Sequence, residues 1–269
     1  MEFRTIVDVE DPGFRIEPCE EMLFVGSCFA DNIGARFKEE KFRATVNPFG
    51  VMYNPASILH TVERLSFAEP SILGSLRTAF FTLGTNHIYR LKETGEIVDN
   101  CQKRPQSLFT EEELTVDECA NYLQKAIDIL RAANPDIRVV LTVSPIRYRK
   151  YGYHGSQLSK ATLLLATSQV AGASYFPAYE IVNDELRDYR FYAEDMLHPS
   201  SQAVEYIWQR LSEVYLSDAA KQFIKEWQPL KAALNHKPFN PESQEYRIFM
   251  DKTMLKIAEL QKKYPNFAV

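Results

Sequence analysis

Met22-Leu23-Phe24-Val25-Gly26-Ser27-Cys28-Phe29-Ala30 is the stretch on which the fold turns. Its first four residues are apolar without alternation, the pattern of a strand buried on both faces, as in parallel sheets. Ala30, Ile33 and Phe37 then recur at helical spacing on one face. Gly26 permits a tight turn between the two, so a buried strand runs directly into an amphipathic helix.

The same alternation continues along the chain. Ala79-Phe80-Phe81-Thr82-Leu83 reads as a second strand, and Tyr122 to Ala132 as a helix with Leu123, Ala126, Ile127 and Leu130 on one side. Pro135 stops that helix, and Ile137-Arg138-Val139-Val140-Leu141-Thr142-Val143 supplies the next strand. Val204, Ile207, Trp208, Leu211 and Val214 mark an amphipathic helix after His198. Strands alternating with helices predict an α/β fold, a three-layer sandwich on a parallel sheet. Beyond Ser217 the character changes. Asn240-Pro241-Glu242 reads as an N-cap with proline in the first helical position. It opens a helix with Tyr246, Phe249, Met250, Thr253, Met254 and Ile257 on one face. Residues 1–216 are expected to form one α/β domain, and 217–269 a helical extension packed on it.

With 269 residues and 45% apolar content, the chain is long enough for a sizeable core. Its formal charge of −5 is modest and both signs are interspersed, with no basic stripe for a nucleic acid. No run approaches the roughly 20 apolar residues of a membrane span. Met1-Glu2-Phe3-Arg4-Thr5 lacks the apolar core of a signal peptide, so a cytoplasmic location is expected. Cys19, Cys28, Cys101 and Cys119 have no CxxC spacing and read as free thiols in a reducing compartment. No metal-ligand spacing and no phosphate-cradling glycine loop occurs, so neither metal nor cofactor is expected. No pattern in the sequence sets an oligomeric state.

Four stretches carry candidate chemistry. Ser27 lies where the first strand becomes a helix, at the sheet's carboxyl edge, where open α/β sheets place ligands. The helix N-terminus there offers free N–H groups and a positive dipole end. Serine is also a preferred N-cap, so a purely structural role stands beside the catalytic one. Cys28 competes as nucleophile, since a thiolate at a helix N-terminus is activated. Only one of the two neighbours can face the pocket, and Cys28 is expected beneath the turn. In Asp195-Met196-Leu197-His198-Pro199, an aspartate three residues before a histidine can fix the ring's tautomer, freeing the other nitrogen as base. Asn86, in Leu83-Gly84-Thr85-Asn86-His87, and Gly50, in Asn47-Pro48-Phe49-Gly50, are either oxyanion donors or ordinary turn residues. His87, Arg187, Arg190 and Tyr192 are candidate substrate contacts. Arg187, Arg190, Tyr189 and Tyr192 otherwise pack the approach to Asp195. His154 is either a further substrate contact or a structural or exposed histidine, and His60 and His236 read as incidental.

In chain order, Ser27, Gly50, Asn86 and Asp195 with His198 resemble the serine, glycine, asparagine and DxxH blocks of SGNH/GDSL hydrolases. Gly26-Ser27-Cys28-Phe29-Ala30 also spells the name of the GSCFA family, usually grouped with them. Asn47-Pro48-Phe49-Gly50, Thr142-Val143-Ser144-Pro145, Ser159-Lys160-Ala161, Tyr175-Phe176-Pro177-Ala178-Tyr179-Glu180 and Arg187-Asp188-Tyr189-Arg190-Phe191-Tyr192 look like that family too. The likeness runs from about Glu21 to Leu216. Two departures stand out. No aspartate separates Gly26 from Ser27, unlike the usual Gly-Asp-Ser-Leu. Gly50 and Asn86 are placed by order and local pattern, with Asn47, Asn54 and Asn100 as alternatives to Asn86.

The resemblance implies an SGNH (flavodoxin-like) α/β/α sandwich in which Ser27 attacks an acyl carbonyl, His198 takes its proton and Asp195 orients the ring. The N–H groups of Ser27 and Gly50, with the Asn86 amide, would hold the oxyanion. It further implies an ester substrate, with O-acyl carbohydrate a plausible class, and leaves hydrolysis or acyl transfer open. The rival is a non-catalytic protein that keeps the fold and binds a carbohydrate or another small ligand. Ser27, Asp195 and His198 together speak against it, because a binding module needs none of that set.

Overall fold

The computed structural model describes residues 3–101 and 104–267. The first strand, β1 (Glu21–Gly26), runs into helix α1 (Cys28–Glu39) and then strand β2 (Arg43–Val46). Helices α2 (Pro55–Ala68) and α3 (Pro70–Ser75) lead to β3 (Thr78–Leu83). A small excursion follows, made of β4 (His87–Leu91), β5 (Ile97–Val98) and β6 (Phe109–Glu113). Helix α4 (Val116–Ala133), strand β7 (Arg138–Val143), helix α5 (Gly152–Gln169) and strand β8 (Ser174–Tyr175) complete the alternation. A short helix, α6 (Ala178–Glu180), widens into a π turn over Ile181–Leu186 before α7 (Ser201–Tyr215). Helices α8 (Asp218–Leu234) and α9 (Gln244–Lys263) end the chain.

Five strands form one parallel sheet in the order β2-β1-β3-β7-β8. Because side chains alternate across a strand, each strand feeds two cores. Leu23, Val25, Ala79, Phe81, Val139 and Leu141 face α2, α4 and α5. Met22, Phe24, Phe80 and Val140 face α1 and α7. The register matches: Phe24 pairs with Phe80, their rings stacked at 4.9 Å, and Phe80 with Val140. This is the expected three-layer α/β/α sandwich. The uninterrupted apolar runs follow from it, since no strand of the central three has a solvated face.

Several elements differ from expectation. Helix α4 begins well before Tyr122, because Thr115 and Glu118 form a reciprocal capping box that starts it at Val116. The β4–β5–β6 sheet, whose strands include Thr110-Glu111-Glu112-Glu113, has too little apolar alternation to announce itself. In the tail, Ser243 is the N-cap of α9, accepting from Tyr246 N, so the helix opens after the Asn240-Pro241 turn. Asn240 accepts from Glu242 N instead. Of the face expected there, Thr253 and Ile257 are buried, while Phe249 and Met254 are substantially exposed.

Helix α8 docks on the end of α1. The Trp227 indole N–H donates to Glu39 O at 2.9 Å, and Lys231 reaches both Glu39 and Glu40. The indole N–H serves a carbonyl at the helix C-terminus, where intrahelical donors run out, and the lysine pairs with the two carboxylates beside it. Phe223, Trp227, Leu230, Ile257, Leu260 and Phe267 make a third, smaller core there. All four cysteines are free. Among the described residues, no helix is long and apolar enough to cross a membrane.

Candidate active site

The turn between β1 and α1 is built from both sides. Gly26 sits at φ +149°, and a Cβ there would collide with the carbonyl and hydroxyl of Thr82 on the neighbouring strand. Its N–H donates to Asn47 Oδ1 at 2.9 Å, and Asn47 Nδ2 donates to Asp31 Oδ1 at 2.7 Å in the first turn of α1. Met52 N donates to Gly26 O, and Ser27 N to Thr82 O. Both backbone groups of Gly26 and the N–H of Ser27 are thereby tied to distant segments.

Ser27 and Cys28 take the opposite places from those expected. Ser27 is fully buried and is the N-cap of α1: its Oγ accepts from Phe29 N at 3.2 Å and shares a hydrogen bond with Thr82 Oγ1 at 3.3 Å. No hydrogen bond joins it to His198. Cys28, the first helical residue, is half-buried. Burial pushes its thiol pKa up and Asp31 adds to that, while a hydrogen bond with the Tyr53 hydroxyl opposes both. The N-cap side chain folds back over the first turn, and Thr82 Oγ1 on the neighbouring strand gives Ser27 Oγ a second partner on the buried side.

The catalytic-type pair from the sequence does meet. Asp195 Oδ2 lies 2.5 Å from His198 Nδ1, and Asp195 Oδ1 accepts from both Leu197 N and His198 N. Those two backbone donors, then the imidazole, hold the Asp195 carboxyl down to about 2. The carboxylate is therefore ionised, so Nδ1 carries the proton and Nε2 is left as an acceptor. Both side chains are open, at 42% and 45% exposure. Arg147, just past β7, anchors the loop: its N–H donates to Leu197 O and its Nη1 to Met196 O, each at 3.0 Å. The same guanidinium lies over the rings of Tyr153 at 4.4 Å and Tyr192 at 5.3 Å.

The expected oxyanion donors are engaged elsewhere. Gly50 is in an exposed turn and its N–H donates to Asn47 O at 2.9 Å. Asn86 is buried, and its Nδ2 donates to Leu114 O at 2.8 Å, holding the β3–β4 turn to the start of α4. Of the alternatives, Asn54 caps α2 through Ser57 N and Asn47 braces Gly26. His87 is buried, stacked on Tyr151 at 3.6 Å, and lies 3.3 Å from Glu111 without hydrogen-bond geometry. Burial lowers its pKa against the pull of Glu113 and Glu111. Arg187 is exposed in a left-handed conformation, and Arg190, 71% exposed, pairs with its near neighbour Asp188. Only Tyr192 of that run reaches the Arg147 cluster closely.

Some site residues were given no role by the sequence reading. Lys160, on α5, is completely buried and donates to Gly84 O at 2.6 Å and Ser144 O at 2.7 Å, clamping the carboxyl ends of β3 and β7. Burial pulls its pKa down to about 7, while the two carbonyls favour the ammonium. The adjacent Ser159 Oγ accepts from Asn86 N. A signal existed: Ser156, Ser159, Lys160, Leu163 and Ala166 recur at helical spacing, so a lysine stands on the buried stripe. Tyr53 and Tyr148 meet edge to face at 6.3 Å, and the buried Tyr148 hydroxyl has no partner among the described residues. Cys28, weighed as a nucleophile and set beneath the turn, carried a further signal. Setting Gly26-Ser27-Cys28-Phe29 against Gly-Asp-Ser-Leu residue by residue puts Cys28, not Ser27, under the serine.

Among the described residues, no three His, Cys, Asp or Glu side chains gather as metal ligands. The chain is similar in structure to a GDSL-like lipase from Bacteroides thetaiotaomicron, with a TM-score of 0.44 and 13% identity over 77% of this chain and 88% of that one. A family 3 carbohydrate esterase from Clostridium thermocellum gives a TM-score of 0.42 at 11% identity, covering 81% of this chain and 99% of that one. Its counterpart from Talaromyces cellulolyticus gives 0.40 at 12%, covering 77% and 99%. No curated protein sequence matches. The profile of the GSCFA family matches residues 21–70 and 68–211, and that of the GSCFA C-terminal domain matches 227–269. Spanning the parallel sheet, both sides of the candidate site and the terminal helices, those matches make this chain a member of the GSCFA family.

Proposed function

We propose that the chain is an acyl hydrolase or acyltransferase that opens an ester or O-acyl bond at the β1–α1 turn. The observation that carries this reading is the Asp195–His198 pair, with Nδ1 held by an ionised carboxylate and Nε2 free. That arrangement makes His198 the general base toward a nucleophile of the turn, and then the general acid toward the leaving alcohol. The first turn of α1 supplies partial positive charge for the oxyanion. Phe29 N is taken by Ser27 Oγ and Ala30 N by Ser27 O, whereas the Cys28 N–H lies against its own sulfur, at the mouth of the turn.

An O-acylated carbohydrate suits the surroundings. Tyr153 and Tyr189, 50% and 69% exposed, flank Arg147 beside the DxxH loop and offer flat apolar faces to a sugar ring. The test is turnover of p-nitrophenyl acetate and of an O-acetylated oligosaccharide by the wild type and by His198→Ala. Turnover that disappears in the variant supports the reading. A wild type that binds the oligosaccharide without releasing acetate would instead make this a binding protein.

A further inference from the structure

We infer that Cys28, not Ser27, is the nucleophile, so that the intermediate is an acyl thioester; this rests on the acyl-transfer reading above. The two side chains are adjacent, and the structure distributes them between two tasks. Ser27 Oγ is fully buried, faces Thr82 across the sheet and holds Phe29 N as the helix cap. To attack a substrate it would have to leave the cap and cross to the other side of the backbone. Cys28 is the half-buried member of the pair, in the first turn of α1, within reach of the Tyr53 hydroxyl.

A second feature of the same corner points to a ligand. The Tyr148 hydroxyl is buried without a partner, and a Cβ on Gly84 would collide with it. The Tyr148 ring meets Tyr53 edge to face at 6.3 Å, and the Tyr53 hydroxyl in turn reaches the Cys28 thiol. Buried hydroxyls are ordinarily hydrogen-bonded, so an orphan in the corner of the Cys28 thiol, one residue from the Arg147 that holds the DxxH loop, marks a donor kept for a substrate oxygen. Gly84 is thereby explained: any side chain there would fill the space that the hydroxyl occupies.

The chemistry balances with the groups present. His198 Nε2 takes the thiol proton as Cys28 Sγ bonds to the acyl carbon. The tetrahedral oxyanion collapses, breaking the C–O bond, and His198 returns the proton to the departing alcohol. Water, or an acceptor alcohol, then gives a proton to His198 and attacks the thioester carbon. The C–S bond breaks and Sγ recovers the proton. The resting thiol is neutral, since burial and Asp31 disfavour the thiolate, which is why a separate base is required.

The experiment is acyl trapping with p-nitrophenyl acetate, followed by peptide mass mapping, alongside rates and melts for Cys28→Ala, Ser27→Ala and Tyr148→Phe. The expected adduct is a hydroxylamine-sensitive acetyl group on the Cys28 peptide. Cys28→Ala should lose about 1,000-fold or more in kcat. Ser27→Ala should melt lower yet keep its rate within about tenfold, as expected of a lost cap. Tyr148→Phe should lose about tenfold or more in kcat without melting lower, because its hydroxyl has no partner to lose. An adduct on Ser27, or a Ser27→Ala protein that is folded and inactive while Cys28→Ala turns over, overturns the inference and leaves the hydrolase standing. A wild type that neither turns over nor acylates overturns both.

Discussion

In the proposed function the β1–α1 turn supplies the nucleophile and the Asp195–His198 loop the base, and the two regions are held by different kinds of bond. Partners in the turn come from far along the chain: Gly26 to Asn47, Ser27 to Thr82, Gly84 and Thr85 to Tyr53. Its polar groups are buried, so each unmade bond there carries a desolvation cost. The loop has Arg147 as a distant brace, but its catalytic-type pair is organised locally. Asp195 serves Leu197 N, His198 N and the imidazole, all within three residues and largely in solvent. A buried frame that fixes one reactive group contrasts with a locally organised base that solvent can reach. The difference predicts that substitutions in the turn act first on stability and those in the loop first on rate.

The largest effect is expected in the loop. His198→Ala should lower kcat/KM for a p-nitrophenyl ester by about 100- to 10,000-fold, the span of general acid–base contributions. Its melting temperature should stay close to wild type, because an exposed ring with one local partner supports little of the fold. Asp195→Ala should lose a similar factor, and the double variant no more than either single one, because the two act as a unit. Rate measurements on the three proteins check this. Multiplicative losses would mean that Asp195 works independently of the ring.

In the turn, Asn47→Ala removes the acceptor of the buried Gly26 N–H and the link to Asp31. We expect a loss of about 1–3 kcal/mol in urea unfolding, with kcat reduced only as far as the turn loosens. An unchanged midpoint would break the contrast between the two regions. Lys160 sharpens it through pH. Its folded pKa, about 7, lies below the ordinary lysine value near 10.4, so between them the unfolded chain binds the extra proton. Stability must then rise with pH from about 7 upward, approaching 1.4 kcal/mol per unit before it levels near 10. Wild type should gain stability between pH 7.5 and 8.5 relative to Lys160→Met, by about 1 kcal/mol. Parallel curves for the two proteins would show that the carbonyls of Gly84 and Ser144 keep the ammonium charged as firmly as water does.

The same contrast governs what could be read without coordinates. The sheet was legible because β1, β3 and β7 are apolar on both faces, and the DxxH pair because its bonds span only three residues. The order of Ser27 and Cys28 was not, since which side chain turns inward depends on Thr82, 55 residues away. Asn86 fits a donor by position, yet Leu114 O, brought back by the β4–β5–β6 excursion, takes its amide. Lys160 was visible as a charge on a buried stripe, but its carbonyl partners exist only once β3 and β7 lie side by side. Residues that serve near neighbours are legible, and residues that join strands are not.

The smallest expected effect concerns Gly50, at the rim of the turn. Its φ of +98° is a conformation that side chains avoid, but nothing lies within 4 Å of the position a Cβ would take. Gly50→Ala should therefore cost about 1–2 kcal/mol of backbone strain and no packing. Its N–H closes a local turn with Asn47 O and is not offered to the site. If that bond is its only duty, kcat per folded molecule stays unchanged while the unfolding midpoint falls slightly. An oxyanion donor behaves otherwise, because displacing one costs about 100- to 1,000-fold in kcat. A fall of that size in a folded Gly50→Ala protein would return the turn at Asn47–Gly50 to the catalytic machinery. It would also mean that this segment moves onto the substrate and gives up its bond to Asn47, making the frame around Ser27 and Cys28 less fixed than its buried bonds imply.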